Sequence, residues 1–195
     1  QNKIHDFAWF ASAKLRLVSD TVTLHQDKTI RINCYVSPEQ SANWKNCMSV
    51  VKSAVRQRSR AIGDYPYDVI SLVDGYQGEG SGGMEYPTIA VINPAENIPA
   101  LEQTITHEIG HNWFYAALAS NERQSPWLDE GLNTYYDLRF SRGPSRPVEN
   151  WLLSGLESIH RDQAMQTPAD SFNLVNYGLV AYYKAADWLK NLEAI

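Results

Sequence analysis

The stretch HEIGH at residues 107–111 places two histidines four positions apart, and Glu130 follows nineteen residues after the second one. On an α-helix, positions i and i+4 lie about one turn apart on the same face, so His107 and His111 can direct their imidazoles at one ion. Glu108 points about 100° around the helix, where it can reach a metal-bound water without occupying the coordination sphere. The spacing therefore predicts a metal site on a helix.

Zinc is the metal that this set of residues favours. A hydrolytic zinc site takes three protein ligands and keeps a fourth position for water, and two histidines with one glutamate are a known set. We therefore expect His107, His111 and Glu130 to bind one zinc ion per chain, with Glu108 as general base. The alternative is a solvated helix turn with two surface histidines. Residues 101–119 argue against it, because their apolar side chains flank the histidines, and polar groups in such surroundings need partners.

The third ligand, Glu130, passes a distance check. A helix running about eight residues past His111 covers ~12 Å, and the polar stretch SNERQS that follows spans up to ~20 Å when extended. Ser125 is a favourable N-cap and Pro126 suits the first helical position, so a second helix can carry Glu130 back to the histidines. Asp137, two turns further on, is a candidate acceptor for the N–H of a ligand histidine. A solvated aspartate fits its spacing equally well.

Three motifs resemble the gluzincin aminopeptidases of the aminopeptidase N type. HEIGHNWF followed by WLDEGLNTYYD is similar to the zinc motif of that family with its third ligand. GGMEY at residues 82–86 resembles the family's G-A-M-E-N substrate-binding strand, and AYYKAADWL at residues 181–189 resembles a downstream helix in which a tyrosine precedes a lysine by two positions. The opening HDFAWFAS is also similar to the entry of the family's catalytic domain, so the resemblance covers essentially the whole chain.

The resemblance implies a zinc-dependent aminopeptidase that hydrolyses the N-terminal bond of peptides with a free amine. Glu108 would take a proton from the attacking water and return it to the leaving amine. Tyr182 would donate its hydroxyl to the oxyanion. The residues alone do not decide whether Tyr177, Tyr182 or Tyr183 is this donor. Without the resemblance, Tyr182 would be interpreted as a core aromatic residue of a helix. Its choice rests on Lys184, which follows at the family's spacing.

Glu85 is the residue that would make the enzyme an aminopeptidase, because its carboxylate can pair with the substrate's α-ammonium group. By the same resemblance, Gly82, Gly83 and Met84 belong to the substrate-binding strand. Gly80, Gly82 and Gly83 lack side chains, so a substrate backbone can approach closely and pair with this strand. The alternative is a flexible glycine-rich turn with an ordinary surface glutamate.

The chain departs from the family pattern at two positions of this strand. Gly83 stands where alanine is usual, and Tyr86 stands where asparagine is usual. These departures affect the side-chain contacts expected at both positions, but they leave the carboxylate of Glu85 in place.

Composition sets limits on the class of protein. With 195 residues and 44% apolar content, the chain can bury a core, and one domain is the default. Its formal net charge is −5, whereas a nucleic-acid-binding protein is expected to have a basic surface, so the composition does not indicate nucleic-acid binding. The basic stretch KSAVRQRSR is better explained as the solvated C-terminal end of a helix that stops at Gly63. No apolar run approaches eighteen residues, so no membrane span is expected.

Two cysteines are too few for a disulfide framework. Cys34 alternates with Ile30, Ile32 and Val36 in a predicted strand, and Cys47 lies on a predicted helix. We expect two buried free thiols, with a single disulfide as the alternative.

The secondary-structure signals predict an α+β fold, and its arrangement resembles a thermolysin-like zinc peptidase catalytic domain. A small mixed β-sheet lobe with one long helix would occupy residues 1–95, and a mainly helical lobe would occupy residues 96–195. The predicted strands are residues 7–11, 14–17, 29–36, 68–73 and 88–93, with Glu85 on a further strand. The predicted helices are residues 41–62, 101–119, 127–140, 148–161 and 176–191, with a loop at Gly143-Pro144.

The resemblance also implies that the chain, which starts at Gln1, is a catalytic domain excised from a longer multidomain protein. Its partners would be peptide substrates and flanking domains, and without those domains it would bind zinc but turn over peptides poorly. Any signal peptide would lie upstream, which leaves the compartment open, although an extracytoplasmic protein is slightly favoured.

Two other functions are alternatives to the aminopeptidase: a thermolysin-like endopeptidase and a non-catalytic zinc-binding or peptide-binding relative. Glu85 argues against the first and Glu108 against the second.

Overall fold

The computed structural model describes residues 4–76, 81–140 and 147–195. It divides into two compact units, Gln1–Ala117 and Leu118–Ile195. Gly80 and the predicted loop at Gly143-Pro144 lie outside the described residues. Within the described part of the chain, no helix combines the length and the apolar character needed to cross a membrane.

The first unit is built on a five-stranded mixed sheet. Its strands are β1 (Arg16–Thr23), β2 (Thr29–Val36), β3 (Val69–Asp74), β4 (Gly83–Tyr86) and β5 (Ile89–Ile92). The spatial order is β1-β2-β3-β5-β4, with the β2–β3 and β3–β5 pairs parallel and the two outer pairs antiparallel. Every second residue of β2 is buried from Ile30 to Val36, as the period of two predicted.

Two helices of the first unit pack together. They are α1 (Cys47–Ala61) and α2 (Ile98–His111), and α2 also contacts β4 and β5. The side chain of Asn97 caps α2 by accepting a hydrogen bond from the Ala100 N–H at 2.9 Å. The helix then continues beyond the histidines as a π-helical segment, Asn112–Ala117. This capped, packed helix positions both histidines of the predicted site.

The second unit is helical. Its helices are α3 (Leu132–Phe140), α4 (Pro147–Ser158), α5 (Leu174–Asn176) and α6 (Ala185–Glu193). A π-helical segment, Trp127–Gly131, leads into α3, and another, Tyr177–Lys184, joins α5 to α6. An apolar cluster packs α4 against the second of these segments, through Leu153, Leu179 and Val180 with Leu156, Met165, Phe172 and Tyr183 at its margin. A mixed sheet and helices confirm the predicted α+β fold class.

The two cysteines are both free and buried, as predicted. A hydrogen bond joins their thiols, and it raises the pKa of Cys34, which burial raises further. The same bond lowers the pKa of Cys47, against the opposing effect of burial. The contact therefore packs the start of α1 against β2 through sulfur atoms.

The prediction of strands at residues 7–11 and 14–17 was partly wrong. Residues 7–11 form no strand, and Phe7 and Trp9 are 73% and 74% exposed, so these two aromatic side chains do not belong to a buried face. The first strand instead runs over Arg16–Thr23, with only Val22 buried. A strand with so little burial has almost no hydrophobic period, which is why the sequence pattern failed to show its length.

We predict that Leu72→Ala on β3 lowers the free energy of unfolding by about 2–5 kcal/mol, because Leu72 is fully buried and its removal leaves a cavity. The matched control is Leu17→Ala on β1, where the side chain is 54% exposed and the expected change is within about 0.5 kcal/mol. Urea unfolding of both variants measures the difference. Equal losses would contradict the assignment of the core to β3.

Candidate metal centre

Two imidazoles converge near the end of α2. The Nε2 atoms of His107 and His111 lie 3.1 Å apart, and their ring planes are inclined by 86°. Two nitrogens that each lie ~2.1 Å from a tetrahedral zinc ion are ~3.4 Å from each other, so the pair is close to the spacing that zinc requires. His111 is only 1% exposed, which shields its ring from bulk water. The pair fits two ligands of one ion.

Glu108 is buried on α2 beside His107. Its carboxylate lies against β4, because a Cβ added to Gly83 would come within 2.6 Å of Glu108 Oε1 and 2.8 Å of the Val91 carbonyl oxygen. The alanine that is usual at this position in the resembling motif would therefore displace either the carboxylate or the strand. The glycine at 83 provides the space that Glu108 occupies.

The predicted substrate strand is β4, at the edge of the described sheet. Its pairing with β5 is antiparallel, and Glu85 lies opposite Ala90. Glu85 is buried, whereas Gly82 is exposed and Gly83 and Met84 are half-buried. The strand thus combines a buried carboxylate with one glycine, Gly83, and a second glycine, Gly82, directly precedes it.

Asn112, directly after the second histidine, is a site residue that sequence reasoning missed. Its Oδ1 accepts a hydrogen bond from the Thr88 N–H at 3.0 Å, and its Nδ2 donates to the Ile109 carbonyl at 3.1 Å. Thr88 lies between β4 and β5 with a φ of 72°, a conformation that few non-glycine residues adopt. The amide therefore ties the turn after β4 to the helix of the histidines. A buried asparagine in an apolar helix was the available signal.

Asn93 fixes the opposite end of β4. Its backbone N–H donates to the Gly82 carbonyl at 2.9 Å, and its Nδ2 donates to the Ser81 carbonyl at 2.6 Å. Together with the contact of Asn112, these bonds hold both ends of the short strand that carries Glu85.

Within the second unit, Glu130 and Tyr182 contact each other. Glu130 is buried in the π-helical segment Trp127–Gly131, and its Oε1 accepts a hydrogen bond from the Tyr182 hydroxyl at 2.6 Å. An added Cβ on Gly131 would collide with the Cβ of Ala185. Glycine at 131 therefore allows these two stretches of chain to approach closely enough for the bond.

Two further acidic residues lie near Glu130 in the sequence. Asp137 is half-buried on α3, and its hydrogen bond to the N–H of a ligand histidine stays a prediction. Asp129 is fully buried, although sequence reasoning did not select it. A carboxylate pair that follows two apolar residues, as in WLDEG, was the signal that could have identified it.

No protein-family model matches the chain, but solved structures of peptidases have a similar fold. The M1 zinc metallopeptidase from Deinococcus radiodurans has a TM-score of 0.69 at 18% identity, with 92% of this chain and 40% of that chain covered. A mutant of that enzyme bound to a Tyr-Ser-Ala substrate has a TM-score of 0.63 at 17% identity, with the same coverage. Aminopeptidase A from Legionella pneumophila, in complex with aspartic acid, has a TM-score of 0.67 at 19% identity, with 92% and 22% covered.

These similarities show that the chain has an M1-like fold. The chain spans 40% of the length of the Deinococcus enzyme and 22% of the Legionella enzyme.

We predict that Gly83→Ala destabilises the chain by about 1–3 kcal/mol, because the new Cβ would overlap both the Glu108 carboxylate and a backbone carbonyl. Gly82→Ala is the control, since its Cβ would meet Thr104 at an ordinary 3.5 Å and the cost should stay under about 1 kcal/mol. Denaturant unfolding measures both. If the two variants are equally stable, Glu108 does not occupy the space beside Gly83.

Proposed function

We propose that this chain is the catalytic domain of a zinc-dependent aminopeptidase, of the thermolysin-like type found in gluzincin aminopeptidases. The observation that supports it best is the converging pair of His107 and His111, 3.1 Å apart at Nε2 and beside the buried Glu108, in a chain with an M1-like fold. A solvated pair of surface histidines would not explain a His111 that is almost completely buried.

In this proposal His107, His111 and Glu130 bind one zinc ion per chain. The set of two imidazoles and one carboxylate is typical of hydrolytic zinc sites. Zinc, when bound, supplies Lewis-acid activation of water and polarises the scissile carbonyl. Asp137 would accept a hydrogen bond from a ligand histidine, which fixes the tautomer and the orientation of that ring.

Glu108 acts as the general base and then as the general acid. It removes a proton from the attacking water and returns that proton to the leaving amine. Its position on α2, one residue from His107 and against β4, is compatible with this role because the carboxylate lies beside the ligand histidines without being one of them. A purely structural metal site would not require this carboxylate.

Tyr182 stabilises the oxyanion that develops on the scissile carbonyl. Its hydroxyl is already held at 2.6 Å from Glu130 Oε1, so it lies next to a proposed ligand of the metal. The hydroxyl carries a single proton, so in this role it would leave Glu130 and donate to the substrate oxygen as charge develops there. The contact with Glu130 supports the choice of Tyr182 among the tyrosines that the sequence left open.

The substrate would pair with β4 through Gly82, Gly83 and Met84, as an added strand at the edge of the sheet. Glu85 would accept the α-ammonium group of the first residue. Because Glu85 is buried, its interaction with a cation is weakly screened and therefore strong. This arrangement selects peptides with a free N-terminus. The Tyr-Ser-Ala peptide and the aspartic acid bound by the similar enzymes are consistent with such a substrate class.

The similar enzymes are much longer than this chain, and we propose that flanking domains complete the substrate cleft. The isolated chain would then bind zinc but hydrolyse peptides slowly. Specific activity equal to that of a longer chain carrying such domains would contradict this part of the proposal.

Hydrolysis of a free-amine peptide and its N-acetylated twin by the zinc-loaded chain tests the proposed function. We predict release of the first residue from the free peptide only, detected by mass spectrometry with long incubation. Glu108→Gln should lower the rate by about 10²–10⁴-fold while zinc content is unchanged, because proton transfer is lost. Cleavage of both peptides would indicate an endopeptidase. Cleavage of neither, with zinc retained, would indicate a non-catalytic relative.

Glu85→Gln should weaken recognition of the free amine. We predict a loss of about 2–5 kcal/mol, or ~30-fold and more in kcat/KM, because a buried charge pair loses one partner. Glu96→Gln removes the same charge from an exposed position and serves as the control. Unchanged kcat/KM in Glu85→Gln would contradict the assigned role of this carboxylate.

A further inference from the structure

The π-helical segment Tyr177–Lys184, which carries Tyr182, is fastened at its C-terminal end by Lys184. Its Nζ donates a hydrogen bond to Asp162 Oδ2 at 2.6 Å and lies 2.8 Å from Glu157 Oε1. Glu157 belongs to α4, and Asp162 belongs to the stretch that follows α4. One ammonium group therefore bridges two carboxylates from outside the segment.

The N-terminal end of the same segment is fastened to the same stretch. Asn176, immediately before Tyr177, is buried; its Oδ1 accepts from the Gln163 N–H at 2.8 Å, and its Nδ2 donates to the Arg161 carbonyl at 3.1 Å. Residues 161–163 thus bind both ends of the segment that carries Tyr182.

This double attachment has a physical reason. π-helical segments are rare and short, and they are frequent at functional sites. Two tyrosines of the same segment lie beside Tyr182, since the ring centroids of Tyr177 and Tyr183 are 5.8 and 6.4 Å from its own. The attachments at both ends therefore act together with the apolar packing of Leu179 and Val180 to set the position of the backbone that carries Tyr182.

The contribution of Lys184 to stability is expected to be small. Its side chain is 31% exposed, and those of Glu157 and Asp162 are 45% and 23% exposed, so water screens the ion pairs. Burial lowers the pKa of Lys184, but the bonds to Asp162 and Glu157 outweigh it and raise the pKa overall, which keeps the group cationic at neutral pH. An effect on position is thus separable from an effect on folding.

We propose that Lys184, held by Asp162 and Glu157, is a positioning residue that sets the Tyr182 hydroxyl against Glu130. The inference rests on the proposed function, because it assigns Lys184 a part in the reaction through Tyr182. Lys184 itself does not contact the reacting atoms in this account.

A double-mutant cycle tests the inference in the zinc-loaded chain. Lys184→Met should lower kcat by about tenfold or more with KM within about twofold, because a displacement near 1 Å can cost ~100-fold in rate. In a Tyr182→Phe background the same change should have no further effect, since the hydroxyl that it positions is already absent. Lys184→Arg, which keeps a cation able to bridge two carboxylates, should retain most of the activity. Lys190→Met, at an exposed position on α6, is the matched control.

Equal losses of kcat from Lys184→Met in the two backgrounds would overturn the inference, because Lys184 would then act independently of Tyr182. Equal losses from Lys184→Met and Lys190→Met would also overturn it, since any lysine of this region would then have the same effect.

A second readout does not depend on activity. In protein labelled with ¹³C at the tyrosine ζ-carbon, the Tyr182 signal is identified by its loss in Tyr182→Phe. Lys184→Met should shift or broaden that signal, whereas Lys190→Met should leave it unchanged. An unchanged Tyr182 signal in Lys184→Met overturns the inference. A shifted signal in a chain that hydrolyses no peptide supports the positioning and contradicts the proposed function alone.

Discussion

The burial of polar groups on α2 is the constraint on which the first unit depends. This helix carries two imidazoles and a carboxylate through the interior of the unit, where unpartnered polar groups cost free energy. The Nε2 atoms of His107 and His111 lie 3.1 Å apart, and the proposed zinc ion would give both imidazoles a common partner. Around them, Gly83 makes room for Glu108, and Asn112 holds the turn after β4. The same burial makes the site suitable for charge chemistry, because electrostatic interactions are stronger away from water.

In the second unit, the main constraint is the position of the Tyr182 hydroxyl, which donates a hydrogen bond to Glu130. Glu130 and Tyr182 both lie on π-helical segments, and such segments are frequent at functional sites. Close approach at Gly131 permits their hydrogen bond, and residues 161–163 fasten the tyrosine segment at both ends. Small residues and polar attachments, together with the apolar cluster that packs α4 against this segment, hold the stretch of chain that carries the hydroxyl.

The sequence predicted the parts that depend on local periodicity. The spacing of His107 and His111 fixed their common face, and the alternation of Ile30 through Val36 identified β2. The signal failed for β1, which has almost no buried face. It also failed where a feature depends on residues far apart in the chain, such as the contact of Gly83 with Glu108 or the bond from Asn112 to Thr88. The π-helical segments were predicted as ordinary helix, because hydrophobic spacing does not distinguish an inserted residue over one or two turns.

The central claim is that His107, His111 and Glu130 bind one zinc ion, and elemental analysis tests it most directly. Purified chain is exposed to zinc, dialysed and measured alongside Glu130→Ala, with Glu96→Ala as a control at an exposed glutamate. The account predicts close to one zinc per chain in the wild type and in the control. Glu130→Ala should lose most of the bound zinc, while its circular dichroism spectrum shows that the fold is retained. A folded wild type without zinc, or full zinc retention in Glu130→Ala, would contradict the account.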